Sequence, residues 1–357
     1  GLSAPHWADH YWGPEPPENV DSLPRPLWAM GASWLDYDSD GYLDLTTSGG
    51  LDIDRWYAGN PDGTFELVEP VGGSPRSLAS SGRTALDLGG DDWVDLYISD
   101  AAENHLLVSD GSGGFAPPPG PSPTANAGYG SNSAWADFDL DGDLDGYVVN
   151  YRCTGCSLDH PGRDAFLLNQ GEGQFVDVIS WLPEHTTRGF GFVPAWGDFD
   201  DDGDLDLFVV NDLGTWDEPA DQRTPRFVVF RNDGPGCEGW CFSEVAEEWG
   251  LDLRIDGMGF AMGSPDGGEA WWFAFSHTGP SSLSVPHESG VWFEAAAAHG
   301  LSAHRTGWGL AFVDIDNDGD EDLLMAAGAK PAGADEGSVL WLNDGETKTG
   351  WKNCFEG

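Results

Sequence analysis

Four stretches of the sequence carry aspartates at regular positions around a glycine. They begin at Asp36, Asp137, Asp198 and Asp314, and each fits the pattern D-x-D-x-D-G-x-x-D. Calcium takes about six to eight oxygen ligands. In a tight loop, the carboxylates at positions 1, 3, 5 and 9 and the backbone carbonyl at position 7 supply such ligands, and glycine at position 6 permits the sharp bend. The sequence therefore predicts four calcium-binding loops, named A to D in chain order.

All the predicted ligands are oxygen atoms, which favours calcium over zinc or copper. Magnesium is less suited, because it keeps several waters and a rigid octahedral geometry. The predicted side-chain ligands are Asp36, Asp38, Asp40 and Asp44; Asp137, Asp139, Asp141 and Asp145; Asp198, Asp200, Asp202 and Asp206; and Asp314, Asp316, Asp318 and Asp322. The predicted carbonyl ligands are those of Tyr42, Asp143, Asp204 and Asp320.

Two further stretches are degenerate copies of the loop. The first keeps Asp87, Asp91 and Asp95 but has Gly89 at position 3, so a fifth calcium site there is an open prediction. The second, SPDGGEAWW from Ser264, has lost most of the ligands and is expected to hold no metal.

The loops mark an internal repeat. They start at residues 36, 87, 137, 198, about 264 and 314, a spacing typical of solenoids, propellers and arrays. Each loop follows a glycine-rich run and precedes a β-rich run, after which a third strand leads to a turn of Asn, Asp and Gly. A fourth strand is marked by Phe65, Phe115, Phe175, Phe242, Phe293 and Phe355. Four short antiparallel strands per repeat predict an all-β fold.

The predicted architecture is a β-propeller of six four-stranded blades, or seven if the N-terminal residues add strands. Residues 29–357 are expected to form this single domain, with the calcium loops between strands 1 and 2 of the blades. Residues 1–28, rich in Pro and Trp, are too few for a blade. They are expected to cover a face or the closure seam.

These motifs resemble the calcium-bearing repeats of the FG-GAP/VCBS class, which occur in the propellers of integrin α-subunits. The fuller pattern GWGLAFVDIDNDGDEDLLMAAG with LWLNDGE is similar to the ASPIC/UnbV group, which includes cartilage acidic protein. The resemblance covers residues 29–357. It implies a calcium-bearing propeller, and the class includes adhesion proteins and sugar-binding proteins.

Composition excludes several kinds of partner. Lys and Arg number 15 against 62 Asp and Glu, and the formal charge of -47 argues against nucleic acids and anionic membranes. The apolar runs, such as WWFAF at 271–275, are too short to insert into a bilayer. A hydrophobic content of 39% with 18 Trp indicates a packed protein rather than a disordered one.

The five cysteines indicate an oxidising compartment. Cys153 with Cys156 and Cys237 with Cys241 are local pairs that fit two small disulfides, which predicts a secreted, extracellular or periplasmic protein. A zinc site or a redox CxxC are the alternatives. A joint zinc site is disfavoured because the two pairs are expected on opposite faces. Cys354 would be left unpaired.

The strand order separates two faces of the predicted propeller. The 1–2 and 3–4 loops share one face, whereas the long 2–3 loops at 151–164 and 212–226 lie on the other, where function is expected. Ten of the 15 basic residues, Arg83 among them, are expected on that second face. An acidic or polar ligand would suit them; the alternative is that they pair with neighbouring carboxylates. The candidate ligand-binding residues are Arg152, Arg163, Arg188, Trp216, Arg223, Arg226, Arg305, Trp308, Tyr129 and Phe190.

No catalytic set is recognisable, since the sequence contains neither G-x-S-x-G nor HExxH. The predicted function is a secreted, calcium-stabilised module for binding or adhesion, with an extracellular glycan or protein as ligand. The alternative is an extracellular enzyme that uses the arginine- and aromatic-lined face and an axial pocket.

Overall fold

A computed structural model gives the fold for most of the chain after residue 30. It describes residues 31–48, 54–68, 80–100, 104–118, 129–151, 163–171, 174–183, 186–187, 189–212, 227–237, 239–253, 255–268, 270–276, 281–301, 307–327, 338–343, 345 and 351–353. These residues are almost entirely strands and tight loops. The exceptions are one α-helical turn, α1 (Ala246–Trp249), and a 3-10 turn at Ile179–Trp181. The predicted roles of residues 1–28 and of Cys354 lie outside the described residues.

The strands are short and pair mainly with their sequence neighbours. In the first half of the chain they are β1 (Ala32–Leu35), β2 (Asp44–Thr47), β3 (Arg55–Gly59), β4 (Phe65–Val68), β5 (Ser80–Leu86), β6 (Asp95–Asp100), β7 (His105–Ser109), β8 (Phe115–Ala116), β9 (Tyr129–Ala136), β10 (Asp145–Tyr151), β11 (Ala165–Asn169) and β12 (Phe175–Asp177). In the second half they are β13 (Phe190–Gly197), β14 (Asp206–Asp212), β15 (Val228–Gly236), β16 (Gly239–Glu244), β17 (Gly259–Gly263), β18 (Trp272–Ser276), β19 (Ser282–Pro286), β20 (Trp292–Glu294), β21 (Gly307–Val313), β22 (Asp322–Ala327), β23 (Val339–Leu342) and β24 (Lys352–Asn353).

The described strands form four separate four-stranded sheets, β1–β4, β5–β8, β17–β20 and β21–β24, and one eight-stranded sheet, β9–β16. The larger sheet arises because β10 extends to Tyr151, which pairs with Phe190 at the start of β13. Their rings lie 5.1 Å apart and add an aromatic contact to this pairing. The all-β class is confirmed. The prediction of six or seven separate blades is wrong for the described residues, because this junction leaves only four.

The described residues divide into two compact units: those from 31 to 196 with 235–239, and those from 197 to 234 with those from 240 onward. In the first unit β1, β5 and β9 lie side by side. The hydroxyl of Ser33 donates to the Arg83 carbonyl (2.8 Å), and that of Ser81 donates to the Gly130 carbonyl. In the second unit β17 and β21 are neighbours in the same way. Within each unit, consecutive sheets therefore place their first strands next to one another, as the blades of a propeller do.

Close approach of the first strands explains the glycine-rich runs before the loops. A Cβ on Gly31 would lie 2.8 Å from the carbonyl oxygen of Ser81, and a Cβ on Gly259 would lie 2.9 Å from that of Trp308. Carbon and oxygen cannot approach so closely without repulsion. Glycine is therefore required where one first strand passes the next.

The core fills the space between consecutive sheets of a unit. Leu35 and Trp56 of the first sheet pack against Leu96, Ile98 and Phe115 of the second. The other face of the second sheet packs against β9–β12 through a cluster that includes Tyr97, Leu106, Val148, Leu167 and Phe175. In the second unit, β17–β20 and β21–β24 share a cluster with Trp272, Leu283, Leu323, Met325 and Trp341. Adjacent residues of a strand thus pack on opposite faces of the sheet, because side chains alternate between the two faces along a strand.

One predicted marker of the fourth strand is displaced by one residue. In β20 it is Trp292, paired with Pro286, that is buried, whereas Phe293 points to the other face and is 52% exposed. Phe115, Phe175 and Phe242 are buried as the marker predicts. A shift of one residue changes the face because side chains alternate along a strand.

Arg83 lies inside the first unit and not in a surface connection. Its side chain is fully buried in β5, forms an ion pair with Asp54 and donates a hydrogen bond to the Thr46 hydroxyl (2.9 Å). Burial lowers the pKa of the Arg83 guanidinium, and the negative charge of Asp54 acts in the opposite direction. For this arginine, the alternative that basic residues pair with neighbouring carboxylates is correct.

Replacing Arg83 with leucine should lower the free energy of unfolding by about 3–5 kcal/mol, because Asp54 would be left as a buried unpaired charge. The double variant Arg83→Leu/Asp54→Leu should recover much of that loss. Arg163→Leu is the matched control, since Arg163 pairs with Asp177 at the surface (2.6 Å, side chain 48% exposed) and should cost less than about 1 kcal/mol. Urea denaturation of the three variants measures the differences. Equal losses for Arg83→Leu and Arg163→Leu would contradict this account.

A second buried carboxyl makes stability depend on pH. Asp164 accepts hydrogen bonds from the Tyr147 hydroxyl and the Asn150 N–H (both 2.9 Å), yet burial raises its pKa to about 7. An unfolded aspartate titrates near about 3.9. The folded protein therefore holds this proton more tightly, and the stability contributed by Asp164 falls as pH rises from about 4 to about 7.

Asp164→Asn should remove this term from the pH dependence of unfolding. Between about pH 4 and pH 7, the free energy of unfolding of the parent protein should fall relative to that of the variant. The difference in slope should be at most that of one proton, about 1.4 kcal/mol per pH unit. Urea denaturation across this range measures the difference. Parallel pH profiles for the two proteins would show that Asp164 does not titrate in this window.

Candidate metal sites

Loops A to D share one backbone conformation. Glycine at position 6 has positive φ in each, from 90° at Gly41 to 100° at Gly319, which confirms the predicted bend. Position 4 is also left-handed, although it is not glycine: φ is 60°, 60°, 60° and 58° at Ser39, Leu140, Asp201 and Asn317. The sequence pattern gave no signal for this second left-handed residue, since four different side chains occupy it.

The aspartate at position 1 holds this conformation in place. In loop C, Asp198 Oδ1 accepts from the N–H of Asp202 (3.1 Å) and Oδ2 accepts from the N–H of Gly203 (3.0 Å). Loops A, B and D repeat both bonds at 2.9–3.1 Å. At position 5, Asp202 Oδ1 accepts from the N–H of Asp204 (3.0 Å), and the other loops do the same. The predicted ligands therefore also satisfy the loop's own backbone donors.

The aspartate at position 9 ties the loop to the third strand. Asp206 is fully buried; its Oδ2 accepts from the N–H of Phe199 at position 2 (3.0 Å), and its Oδ1 accepts from the N–H of Asn232 in β15 (2.9 Å). Asp44 and Asp322 make the same two bonds. Each of these carboxylates thus connects a loop between strands 1 and 2 to the strand that follows.

Burial of position 9 opposes ionisation. Desolvation raises the pKa of Asp145 to about 8 and that of Asp206 to about 7, although their backbone hydrogen bonds act to lower both. The nearby carboxylates of the same loop raise the pKa further. A cation beside these groups would offset both effects.

The spacing N-x-G recurs in the turns between strands 3 and 4 that follow loops B, C and D, and its asparagine binds the loop. Asn232 in β15 is buried; its Oδ1 accepts from the N–H of Gly234 (3.0 Å), and its Nδ2 donates to the carbonyl of Leu205 at position 8 of loop C (3.3 Å). Asn169 and Asn343 make the corresponding bonds for loops B and D. The sequence pattern predicts these asparagines only as turn residues suited to positive φ. Their bonds show that the 1–2 loop and the 3–4 turn lie at the same end of the strands.

Each loop gathers three carboxylates whose oxygens lie within 4.8 Å of one another. Calcium-to-oxygen distances of about 2.3–2.6 Å place opposed ligands about 5 Å apart, so these groups fit a calcium ion. The groups are Asp36, Asp38 and Asp40; Asp137, Asp139 and Asp145; Asp198, Asp200 and Asp206; and Asp314, Asp316 and Asp322. Asp44 in loop A, and Asp141, Asp202 and Asp318 at position 5 of the others, stand outside the groups.

The degenerate 87–95 loop keeps the hydrogen bonds from backbone N–H groups to the aspartates at positions 1 and 9, but Gly89 stands where the other loops have a carboxylate. Asp87 accepts from the N–H groups of Asp91 and Asp92 (3.2 and 2.9 Å), and Asp95 accepts from those of Leu88 and Ser109 (3.0 and 2.8 Å). Among the described residues, the carboxylates here do not form a group like those of loops A to D. The fifth calcium site therefore stays a prediction.

The predicted ligand-binding residues are described only in part. Arg163 is exposed and pairs with Asp177; Phe190 is buried against Tyr151; and Trp308 lies half-exposed in β21. Tyr129 is in β9, where it pairs with Tyr151. The other predicted residues, Arg152, Arg188, Trp216, Arg223, Arg226 and Arg305, lie outside the described residues, so this ligand site remains a prediction.

One of the two predicted disulfides is present, between Cys237 and Cys241 at the turn from β15 to β16. Cys153 and Cys156 lie outside the described residues. Within the parts of the chain that the structure describes, no helix has the length and apolar character needed to cross a membrane.

Comparison with known proteins identifies an FG-GAP-like repeat at residues 155–209, a segment that contains loop C. The predicted resemblance to FG-GAP repeats is thereby confirmed for this segment. No curated protein matches the chain.

Solved structures that are similar to the chain include a lectin and a protein from a two-protein complex. An Agrocybe aegerita lectin, described as recognising non-reducing terminal N-acetylglucosamine, is 13% identical, with a TM-score of 0.48 over 91% of this chain and 80% of the lectin. BBS1N in its complex with ARL6DN is 10% identical, with a TM-score of 0.49 over 91% of each chain. Similarity at this level carries no conclusion about function.

Asp206→Asn should destabilise the protein even when calcium is absent. The amide offers one oxygen where the carboxylate accepts two backbone N–H bonds, so one buried donor loses its partner at a cost of about 1–3 kcal/mol. Asp201→Asn is the matched control, because Asn tolerates the left-handed conformation at that exposed position. Denaturation in excess chelator measures both variants. Equal stability of the two would show that the position 9 bonds contribute nothing.

Proposed function

We propose that the protein is a calcium-stabilised extracellular binding module whose ligand is an extracellular glycan or protein. The observation that carries the proposal is the set of four loops with one backbone frame, each of which gathers three carboxylate oxygens within 4.8 Å. The FG-GAP-like match at residues 155–209 supports calcium at loop C, and the Cys237–Cys241 disulfide supports an oxidising, extracellular location.

The carboxylate groups support calcium on electrostatic grounds. Three carboxylates at such short separations repel one another, and a protein of formal charge -47 has few cations with which to neutralise them. In loop C, burial and the neighbouring carboxylate of Asp202 raise the pKa of Asp200. Arg231 acts in the opposite direction, but its guanidinium pairs directly with Asp233 (2.7 Å). A bound divalent cation relieves the repulsion and matches the oxygen-only donor set.

The role proposed for calcium is structural. Each loop joins the first and second strands of a sheet, and its position 9 carboxylate is bonded to the third strand, so an ion in the loop fixes three strands at once. At a dissociation constant of about 10 μM and about 1 mM calcium, each site would add about 2.7 kcal/mol. Four such sites would rival the net stability of a domain.

Removing calcium should therefore lower the melting temperature strongly. Calorimetric titration should show about four sites, and Asp200→Ala should remove one of them, since Asp200 belongs to the carboxylate group of loop C. Asp201→Asn, which changes a neighbouring aspartate outside the group, should leave the number of sites unchanged. A melting temperature unaffected by excess chelator would rule out structural calcium.

The ligand is proposed to bind at the end of the sheets opposite the calcium loops. Asn169, Asn232 and Asn343 hold the 1–2 loops and the 3–4 turns together at one end. This supports a ligand site at the other end, where the 2–3 loops and their arginines are expected. An arginine-rich site would suit carboxylated or otherwise polar glycans, because guanidinium binds carboxylate through two hydrogen bonds.

A glycan array with the intact protein in calcium buffer tests this site. Arg188→Ala and Arg305→Ala should each reduce binding about tenfold or more, as loss of a charge-assisted hydrogen bond predicts. Arg231→Ala is the matched control, since Arg231 pairs with Asp233 at the calcium end and should have no effect on binding. Retention of full binding by the first two variants would contradict the proposed location. Normal calcium titrations for all three would keep this outcome separate from the calcium proposal.

A further inference from the structure

The first sheet has one apolar face that no described residue covers. Trp34, Leu45, Tyr57 and Leu67 are paired in a row across β1 to β4, so their side chains lie on the same face. Phe65 lies on this face two residues before Leu67, and its ring is 5.5 Å from that of Trp34. Trp34, Phe65 and Leu67 are 54%, 46% and 56% exposed.

Equivalent positions in other sheets show that this exposure is unusual. Phe65 is the first residue of the fourth strand, and Phe115, Phe175 and Trp292 hold the same place in β8, β12 and β20. These three residues are only 5%, 8% and 6% exposed, against 46% for Phe65. The first residue of the fourth strand is therefore buried in these three sheets, whereas in the first sheet it is exposed.

In the first unit, the cover for this position comes from the part of the chain that precedes the sheet. Phe115 contacts Trp56 of the first sheet, with ring centroids 5.7 Å apart. Phe175 shares a cluster with Tyr97 and Leu106 of the second sheet. By the same order, the cover for Phe65 would come from residues that precede β1, and residues 1–30 are the nearest of these in the chain.

We propose that residues 1–30 dock on the face formed by Trp34, Leu45, Tyr57, Phe65 and Leu67. The composition of this segment fits the face: it contains Trp7, Trp12 and Trp28 and two proline-rich stretches, PEPP at 14–17 and LPRPL at 23–27. Proline-rich segments bind aromatic surfaces well, because little chain entropy is lost on docking. Apolar exposure of this extent is otherwise a site of association for a folded protein.

The distance from β1 to the far edge of the sheet is short enough for this segment. Four strands spaced about 4.8 Å apart place β4 about 14 Å from β1. About five extended residues span that distance, at about 3.3 Å per residue. Residues 1–30 end next to β1, so a small part of the segment suffices to cross the face.

Photo-crosslinking of the full chain tests the docking. A benzophenone amino acid in place of Phe65 should form crosslinks within one chain to peptides from residues 1–30. The same probe in place of Val176, which is 44% exposed on β12, is the matched control and should not. Crosslinks from position 65 to a second copy, to another part of the chain, or to nothing would overturn the proposal.

Hydrogen exchange gives a second, independent readout. In the variant Trp34→Ser/Phe65→Ser/Leu67→Ser, amides of residues 1–30 should exchange at least about tenfold faster than in the parent protein, as expected when a docked segment is released. The control variant Val176→Ser/Phe293→Ser removes exposed apolar side chains from other sheets and should leave these rates unchanged. Identical exchange of residues 1–30 in all three proteins would also overturn the proposal. Neither readout requires calcium or a ligand to be identified.

Discussion

In loops A to D, the hydrogen bonds of the buried aspartate at position 9 are the interactions on which the arrangement of loop and strands depends. Asp206 shows the arrangement: one carboxylate oxygen takes an N–H from the loop and the other takes an N–H from the third strand. A backbone donor without a partner would be costly at this depth, and a carboxylate offers two acceptor oxygens where an amide side chain of the same shape offers only one. The aspartate is thus fixed by geometry before any metal is considered.

The same carboxylate creates an electrostatic problem. It is buried, it lies beside other carboxylates, and its pKa is raised to about 8 at Asp145 and about 7 at Asp206. A proton or a cation must offset this charge, and oxygen ligands at these separations favour calcium. The 87–95 loop separates the two functions of the aspartates, since it keeps the backbone frame although Gly89 replaces the carboxylate at position 3. The frame is therefore a property of the repeat, and the group of three carboxylates is an addition to it.

In the described sheets, the loops between strands 1 and 2 and the turns between strands 3 and 4 lie at one end of the strands. Asn169, Asn232 and Asn343 bind the 3–4 turns to the loops, so one end of each sheet is occupied by a dense polar network. That network restrains the loops and leaves the longer 2–3 connections at the other end. This division suits a protein in which the loops at one end stabilise the sheets and the loops at the other end can differ in sequence without unfolding them.

Where a sequence-based prediction is wrong, the cause is a strand pairing or a side-chain contact that the local pattern does not show. The sequence predicts Arg83 in a surface connection, but its partner is Asp54, which directly precedes β3 of another sheet. The repeat predicts more separate blades than the described strands form, because the pairing of Tyr151 with Phe190 joins two sets of four strands into one sheet. Trp292 replaces Phe293 as the buried residue because strand register decides which of two adjacent aromatic residues faces the core.

The sequence by itself determined the local features of this protein: the nine-residue loops, the glycine bends, the four-strand repeat and the resemblance to FG-GAP repeats. These follow from side-chain chemistry and spacing within about ten residues, which are visible in the letters. Only the tertiary structure decided which carboxylates form a group, which aspartate oxygen meets the third strand, and which face of the first sheet is left exposed. Those outcomes depend on pairing register and on packing between sheets, and residues far apart in the chain set both.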